Sequence, residues 1–296
     1  MRLKNLQTFY WVATIGSFRQ ASERLYTTQP AVSARIAALE RDLGVQLFDR
    51  SVRQARLTAV GHDVLRYAEK MMELSNELTG EVAGAERMSG VFRIGASETL
   101  VHTWFPDLLA ALPGAFPGIT VEAHVDITPN LRDDLVRREM DIAFLVGPVS
   151  EPSMVNLPCG SYPMVWIAGT DMTLPDGVLG RAEIAAHSIL TFPRRTRPAM
   201  NVQNALRGAD IPPLKINFAS SLTAILQLVE QGFALAAVPE AVIGGPVAEG
   251  RVRRLEVDFQ LDDLAFTATY PNSPDDRVAE AITEMALEMA ARNAGP

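Results

Sequence analysis

Residues 16–61, GSFRQASERLYTTQPAVSARIAALERDLGVQLFDRSVRQARLTAVG, decide the fold. Ser17 is followed three positions later by Gln20, the S-x-x-Q capping box of a helix start. Ala21 and Leu25 continue an apolar side. Tyr26-Thr27 forms a turn, and Thr28 is a second cap. Pro30 sits in the next first turn, where its missing N–H costs nothing. Val32, Ile36, Leu39 and Leu43 make an apolar stripe, and Gly44 stops the helix. Two helices joined this closely pack at a steep angle. The second can then present its outer face to a DNA major groove.

The chemistry of that face suits base edges. Gln29, Ser33 and Arg35 lie off the apolar stripe. Gln pairs bidentately with adenine, Arg with guanine, and Ser with either a base or a phosphate. Ser17, Thr28 and Pro30 at the helix starts complete the near face. After Gly44, LFDRSVRQARLT places Arg50, Arg53 and Arg56 around a short polar turn, as a basic wing would. The plain alternative is a helical hairpin with a solvated charged face. Charge weighs against it. Residues 1–60 hold nine Lys and Arg against four acids, a net +5, whereas the whole chain is −8, leaving −13 for residues 61–296. A basic head on an acidic body is the footprint of a DNA-binding domain joined to one that avoids DNA.

These residues resemble the LysR-type transcriptional regulators. Leu6, Phe9, Val12, Gly16-Ser17-Phe18, Ala21, Leu25, Thr28-Gln29-Pro30-Ala31-Val32-Ser33, Ile36, Leu39-Glu40, Leu43-Gly44, Leu47-Phe48, Arg50, Leu57-Thr58 and Gly61 fall in that family's pattern in order. Two positions depart from it. Ser22 stands where a second alanine is common, and Ala34 where a basic residue is common. The second departure removes one DNA contact and shifts weight to Arg35. The resemblance implies an all-α winged helix-turn-helix with a long linker helix. It also implies a C-terminal α/β domain of two lobes, like periplasmic binding proteins. A regulator of this kind binds double-stranded DNA at an interrupted dyad, senses a small molecule, assembles as a homodimer and homotetramer, and works with RNA polymerase.

Thr58 to about Met88 is one long helical pattern without proline. Val64, Ala68, Met71, Ser75, Leu78 and Val82 alternate steps of four and three, a seam of about three heptads. It reads either as a dimerisation helix or as a helix packed on its own domain. The resemblance favours the first. Domain bounds follow: 1–60 the helix-turn-helix, 61–88 the linker helix and 89–296 the effector domain. Lobe I covers about 89–161 and 266–296, and lobe II about 162–265.

From Val91 the pattern alternates strand and helix. VFRIGAS reads as a strand, ETLVHTWFPDLLAALPGAF as a helix, ITVEAHVDI as a strand, NLRDDLVRREM as a helix and DIAFLVG as a strand. This rhythm predicts a parallel sheet with helices on both faces. A similar unit begins at YPMVWIAG and runs through SILTFP, LKINFA, SSLTAILQLVEQG and FALAAVP. FTATY and a helix from about Asp275 to Arg292 return to the first lobe.

In such lobes a ligand sits at the carboxyl ends of strands, beside helix N-termini that favour anions. Ser97 and Thr99, Thr128, and the loop Arg194-Arg195-Thr196-Arg197 stand at such places, with Ser221 capping a later helix. The family's effector contacts fall at the first three. For Ser97, Thr99 and Ser221, plain helix capping is equally natural and is compatible with contact. The arginines are either a solvated loop or an anion clamp. An Arg fork suits a carboxylate, so the effector expected is a small organic acid. Phe144, Phe192 and Tyr162 are either its apolar wall or core.

Nothing in the chain spells an enzyme. His62, His102, His124 and His187 are scattered, and no phosphate loop, dinucleotide fingerprint or nucleophile elbow is present. No cofactor or metal is expected. The lone Cys159 excludes an intramolecular disulfide and reads as a small buried hydrophobe before a reactive thiol. No segment approaches the ~20 apolar residues of a membrane span. The expected setting is the cytoplasm.

Overall fold

The computed structural model describes residues 2–49, 55–83, 90–208, 211–272 and 277–293. The side chains of residues 69, 73, 74 and 76–83 also lie outside that description. The chain forms two compact units, Met1–Met88 with Asn272–Val278, and Ser89–Pro271 with Ala279–Pro296.

The first unit starts with α1 (Leu3–Ile15), α2 (Phe18–Arg24) and α3 (Gln29–Leu43), and continues into α4 (Ala59–Ala83). Gly16 and Gly44 end α1 and α3 at φ +72° and +69°, a left-handed turn that only glycine adopts without cost. Ser17 Oγ accepts the N–H of Gln20 and Thr28 Oγ1 that of Ala31, each at 3.4 Å. Both caps stand where the sequence places them. Leu6, Phe9, Val12, Ala21, Val32, Ile36, Leu39 and Leu47 form the core. Phe48 closes it, its ring edge-on to Phe9 at 5.6 Å.

Glu40 is buried in this unit, and its Oε1 accepts the N–H groups of Leu47 at 2.8 Å and Phe48 at 3.4 Å. It ties the end of α3 to the first strand of the wing. The wing's base is an antiparallel bridge between Phe48 and Leu57, and Asp49 N–H donates to the Arg56 carbonyl at 2.8 Å. Arg50 and Arg53 lie outside the described residues.

The second unit contains two five-stranded sheets. The first is built from β1 (Gly90–Ala96), α5 (Glu98–Val101), α6 (Phe105–Ala115), β2 (Ile119–Val125), α7 (Thr128–Val136), β3 (Ile142–Val146) and β4 (Met154–Tyr162). The chain then crosses to β5 (Met164–Gly169), α8 (Arg181–Ala185), β6 (Ser188–Thr191), α9 (Arg197–Ala205), β7 (Lys215–Phe218) and α10 (Leu222–Glu230). It continues through β8 (Leu235–Pro239), α11 (Gly244–Ala248) and β9 (Val252–Arg254). β10 (Leu264–Pro271) returns to the first sheet, and α12 (Arg277–Asn293) follows. The strand orders are β2-β1-β3-β10-β4 and β7-β6-β8-β5-β9. Two chain crossings therefore join two α/β lobes.

Three features differ from the sequence expectation. The sheets are mixed, because β10 runs antiparallel to both β3 and β4, and β5 antiparallel to β8 and β9. The single helix expected over ETLVHTWFPDLLAALPGAF is two. Thr103 Oγ1 donates back to the Leu100 carbonyl at 3.1 Å, and Pro106 stands in the first turn of α6, where its missing N–H costs nothing. β4 and β9 had no readable pattern. β4 carries Pro158 and Gly160 and lies at the sheet edge with much of its length exposed, so hydrophobic alternation is weak.

Cys159 is the inward residue of β4, 2 % exposed, and burial pushes its thiol up to about 12. It is a core residue, as its isolation in the sequence suggests. Trp104 is fully buried and stacks edge-on to Phe144 at 5.1 Å. That makes Phe144 core, and Tyr162 is likewise buried against Phe266.

Candidate functional site

In the head, the exposed start of α3 carries Gln29, Pro30, Ser33 and Ala34, with Arg41 further along. Thr28 is also exposed, and Ser17 is half-buried at the start of α2. Arg35 does not share this face. Two positions from Ser33, it points to nearly the opposite side of the helix. It is half-buried, and its Nη1 donates to Thr8 Oγ1 of α1 at 3.4 Å. That bond links α3 to α1 and sets Arg35 apart from the Gln29–Ser33 face. Arg41, exposed in the last turn of α3, is a cation the sequence reading passed over. Arg56 is exposed at the base of the wing.

The expected heptad seam on α4 also needs correction. Ala68 is 0 % exposed and packs with Val64 into the head's own core, so it has no surface to give a partner. Of the expected seam Met71 is exposed (44 %), and beside it stand the exposed Val60 (44 %) and Tyr67 (65 %). Ser75 is half-buried. The side chains of Leu78 and Val82 lie outside the described residues.

In the second unit, a cavity of about 310 Å³ opens between the two sheets. Ser97, Thr99, Thr128, Thr196 and Ser221, all expected at a ligand site, line it, together with Glu98, Asp126, Phe192 and Phe266. Strand ends bring them there. Ser97 N–H donates to the Phe144 carbonyl at 2.9 Å, which holds the end of β1 beside β3. Val146 N–H donates to Thr128 Oγ1 at 3.1 Å. Thr196 Oγ1 donates to the Pro193 carbonyl at 2.8 Å and starts α9.

Glu98 was not foreseen, although it sits between two expected residues. Its carboxylate accepts Ser221 Oγ at 3.2 Å, Leu222 N–H at 2.5 Å, Thr223 N–H at 3.1 Å and Thr223 Oγ1 at 3.0 Å. A lobe I acid thereby caps the lobe II helix α10 and complements its dipole. Ser221 also accepts the Ala224 N–H at 3.3 Å, so the expected capping role holds. An acid in the first turn after β1 was the available signal.

The arginines are elsewhere. Arg194 stacks over Phe218 at 4.3 Å and lines a separate depression beside Arg207. Arg195 and Arg197 are exposed and line neither. Of the expected clamp only Thr196 reaches the cavity. Among the described residues no group of three or more His, Cys, Asp or Glu could hold a metal ion. No described helix is long and apolar enough to cross a membrane.

Residues 3–62 match the family model described as bacterial regulatory helix-turn-helix protein, lysR family, and residues 85–291 match the LysR substrate binding domain. The chain is 26 % identical to the HTH-type transcriptional regulator GltR of Bacillus subtilis over 269 residues, 91 % of this chain and 89 % of that one. Among solved structures, a full-length OxyR point variant of Pseudomonas aeruginosa matches at TM-score 0.66 and 22 % identity, covering 99 % and 97 % of the two chains. LysG of Corynebacterium glutamicum, solved full-length with bound effector Arg, matches at 0.66 and 21 %, covering both chains fully. At these identities the structures bear on the fold.

Proposed function

The chain belongs to the LysR family of bacterial transcription regulators, and on that premise we propose how its parts divide the work. The family's members are DNA-binding regulators with an effector-binding domain, not enzymes. Residues 1–60 read an interrupted dyad in double-stranded DNA, 61–88 join two copies, and 89–296 receive a small molecule. The regulator works in the cytoplasm, as a homodimer that pairs into a homotetramer, and contacts RNA polymerase.

One observation carries the DNA reading: α3 leaves Gln29, Ser33 and Ala34 exposed beside a wing in a head of net +5. Direct readout rests on Gln29 and Ser33, and Arg41 and Arg56 supply phosphate contacts. A pairing surface on α4 is supported by the exposed Val60, Tyr67 and Met71, spaced seven and four. The effector reading is supported by the cavity between lobes. Its walls mix apolar side chains with a few convergent hydroxyls, the usual make-up of a ligand site. The organic acid expected from the FPRRTRP loop loses its main support, since those arginines do not line the cavity.

Selection of chromosomal fragments by the full-length protein tests this function. Enrichment of a few fragments that survive competitor DNA supports it. Retention of all fragments alike, falling away together with salt, counts against it.

A further inference from the structure

We propose that the group this cleft recognises is cationic, an amine, amidine or guanidine on a small apolar body. The inference rests on the effector reading of the cavity. Three helices of nine residues begin at this cleft, and helix starts are where an anion would bind. Two already hold a carboxylate of the chain itself. Glu98 caps α10 with four hydrogen bonds. Asp126 Oδ1 accepts the Ile127 N–H at 2.7 Å and Asn130 Nδ2 at 2.9 Å at the start of α7. The third, α9, has Pro198 in its first turn, which removes an N–H, and the Thr196 hydroxyl is turned to Pro193.

Among the described residues the lining contains neither Lys nor Arg. An anion would therefore meet two carboxylates with no opposing side chain, in a site partly shielded from water. A cation meets the reverse. Asp126 Oδ2 accepts no hydrogen bond among the described residues, and Asp126 is exposed at the rim. Ser97, 8 % exposed, lines the cavity with an Oγ that has no hydrogen-bond partner among the described residues. A buried hydroxyl without a partner is unusual, and its lone pairs are open to a ligand donor. Ammonium and guanidinium groups offer donors only, which matches these two acceptors. Phe192 and Phe266 provide the apolar wall, and a volume of about 310 Å³ holds a small body.

Thermal shift and calorimetry on the full-length protein test this, with putrescine, agmatine and L-lysine against glutarate and benzoate. Amine-bearing probes are expected to raise Tm and bind one per chain, while the two acids leave Tm unchanged. Asp126→Asn keeps a carbonyl oxygen for Ile127 and Asn130, so it should fold, yet weaken amine binding about tenfold, the scale of one charge-assisted hydrogen bond. Binding by the acids, no shift from any amine, or equal amine binding by wild type and Asp126→Asn would each overturn the proposal. Retardation of chromosomal DNA by the same samples reads the regulator function separately. If DNA binding persists while the amines fail, only the charge assignment falls. If DNA binding itself fails, the reading beneath it falls.

Discussion

Glu98 accepts the N–H of Leu222 at 2.5 Å across 124 positions of sequence, and so one carboxylate of the first lobe caps a helix of the second. The two sheets are joined covalently at two crossings only. Glu98 adds a polar fastening at the mouth of the cavity. A ligand alters DNA binding only by favouring one arrangement of lobes or subunits over another, and this fastening is a contact such a ligand can shift.

Glu98→Ala should expose the first N–H groups of α10. Faster hydrogen exchange at the Leu222 and Thr223 amides is expected, with a stability loss of about 1–3 kcal/mol for the unmade hydrogen bonds. Unchanged exchange at those two amides would mean that the contact is not formed in solution.

Gln29→Ala should weaken binding to a selected site by about 1–3 kcal/mol and relax base preference at one position. Arg35→Ala should leave base preference intact and act instead through stability, because its guanidinium turns to Thr8 of α1 and away from the Gln29–Ser33 face. Arg56→Ala should weaken all DNA alike and reduce the salt slope by about one. Titrations of the three variants at two salt concentrations separate these outcomes.

Tyr67→Asp should shift the chain toward monomer and lower DNA affinity, since a charge buried unpaired at a helix seam costs several kcal/mol. Ala68→Asp should unfold the head outright, because Ala68 is fully buried in its own chain. Sedimentation of a folded Tyr67→Asp protein with wild-type mass would place the pairing surface elsewhere.

Cys159 should resist thiol reagents in the native protein at neutral pH, as its thiol is both buried and held protonated. Its pKa is raised from 9.0 to about 12 on folding. The unfolded chain therefore loses this proton first, and the contribution to stability, whole below pH 9, is lost as pH rises toward 12. Denaturant midpoints of wild type and Cys159→Ser across pH 8–11 check the sign (wild type should lose stability more steeply).

The head was legible because its rules are local. Ser17, Thr28, Pro30 and Gly44 mark helix ends within a few residues of themselves, and the structure places each as read. The seam on α4 was less so. Steps of four and three fit two adjacent stripes, and only the packing of Ala68 under α1 decides which stripe is free. In the cleft the hydroxyls were found by their position after strands, whereas Glu98 and the direction of the arginines were not. Glu98 finds its partner 124 positions away, and Arg194 turns to Phe218 by stacking. Neither choice leaves a trace in the local pattern. β4 stayed hidden because a register with β10 and not its own composition makes it a strand.

The most direct measurement is a footprint of the full-length protein on a fragment it selects from chromosomal DNA. Two protected half-sites related by a dyad, with centres about 34–36 Å apart or a multiple of that spacing, are predicted for paired heads reading successive turns of the groove. Protection without sequence preference, or a single half-site at saturating protein, would contradict the account of a paired, sequence-reading regulator.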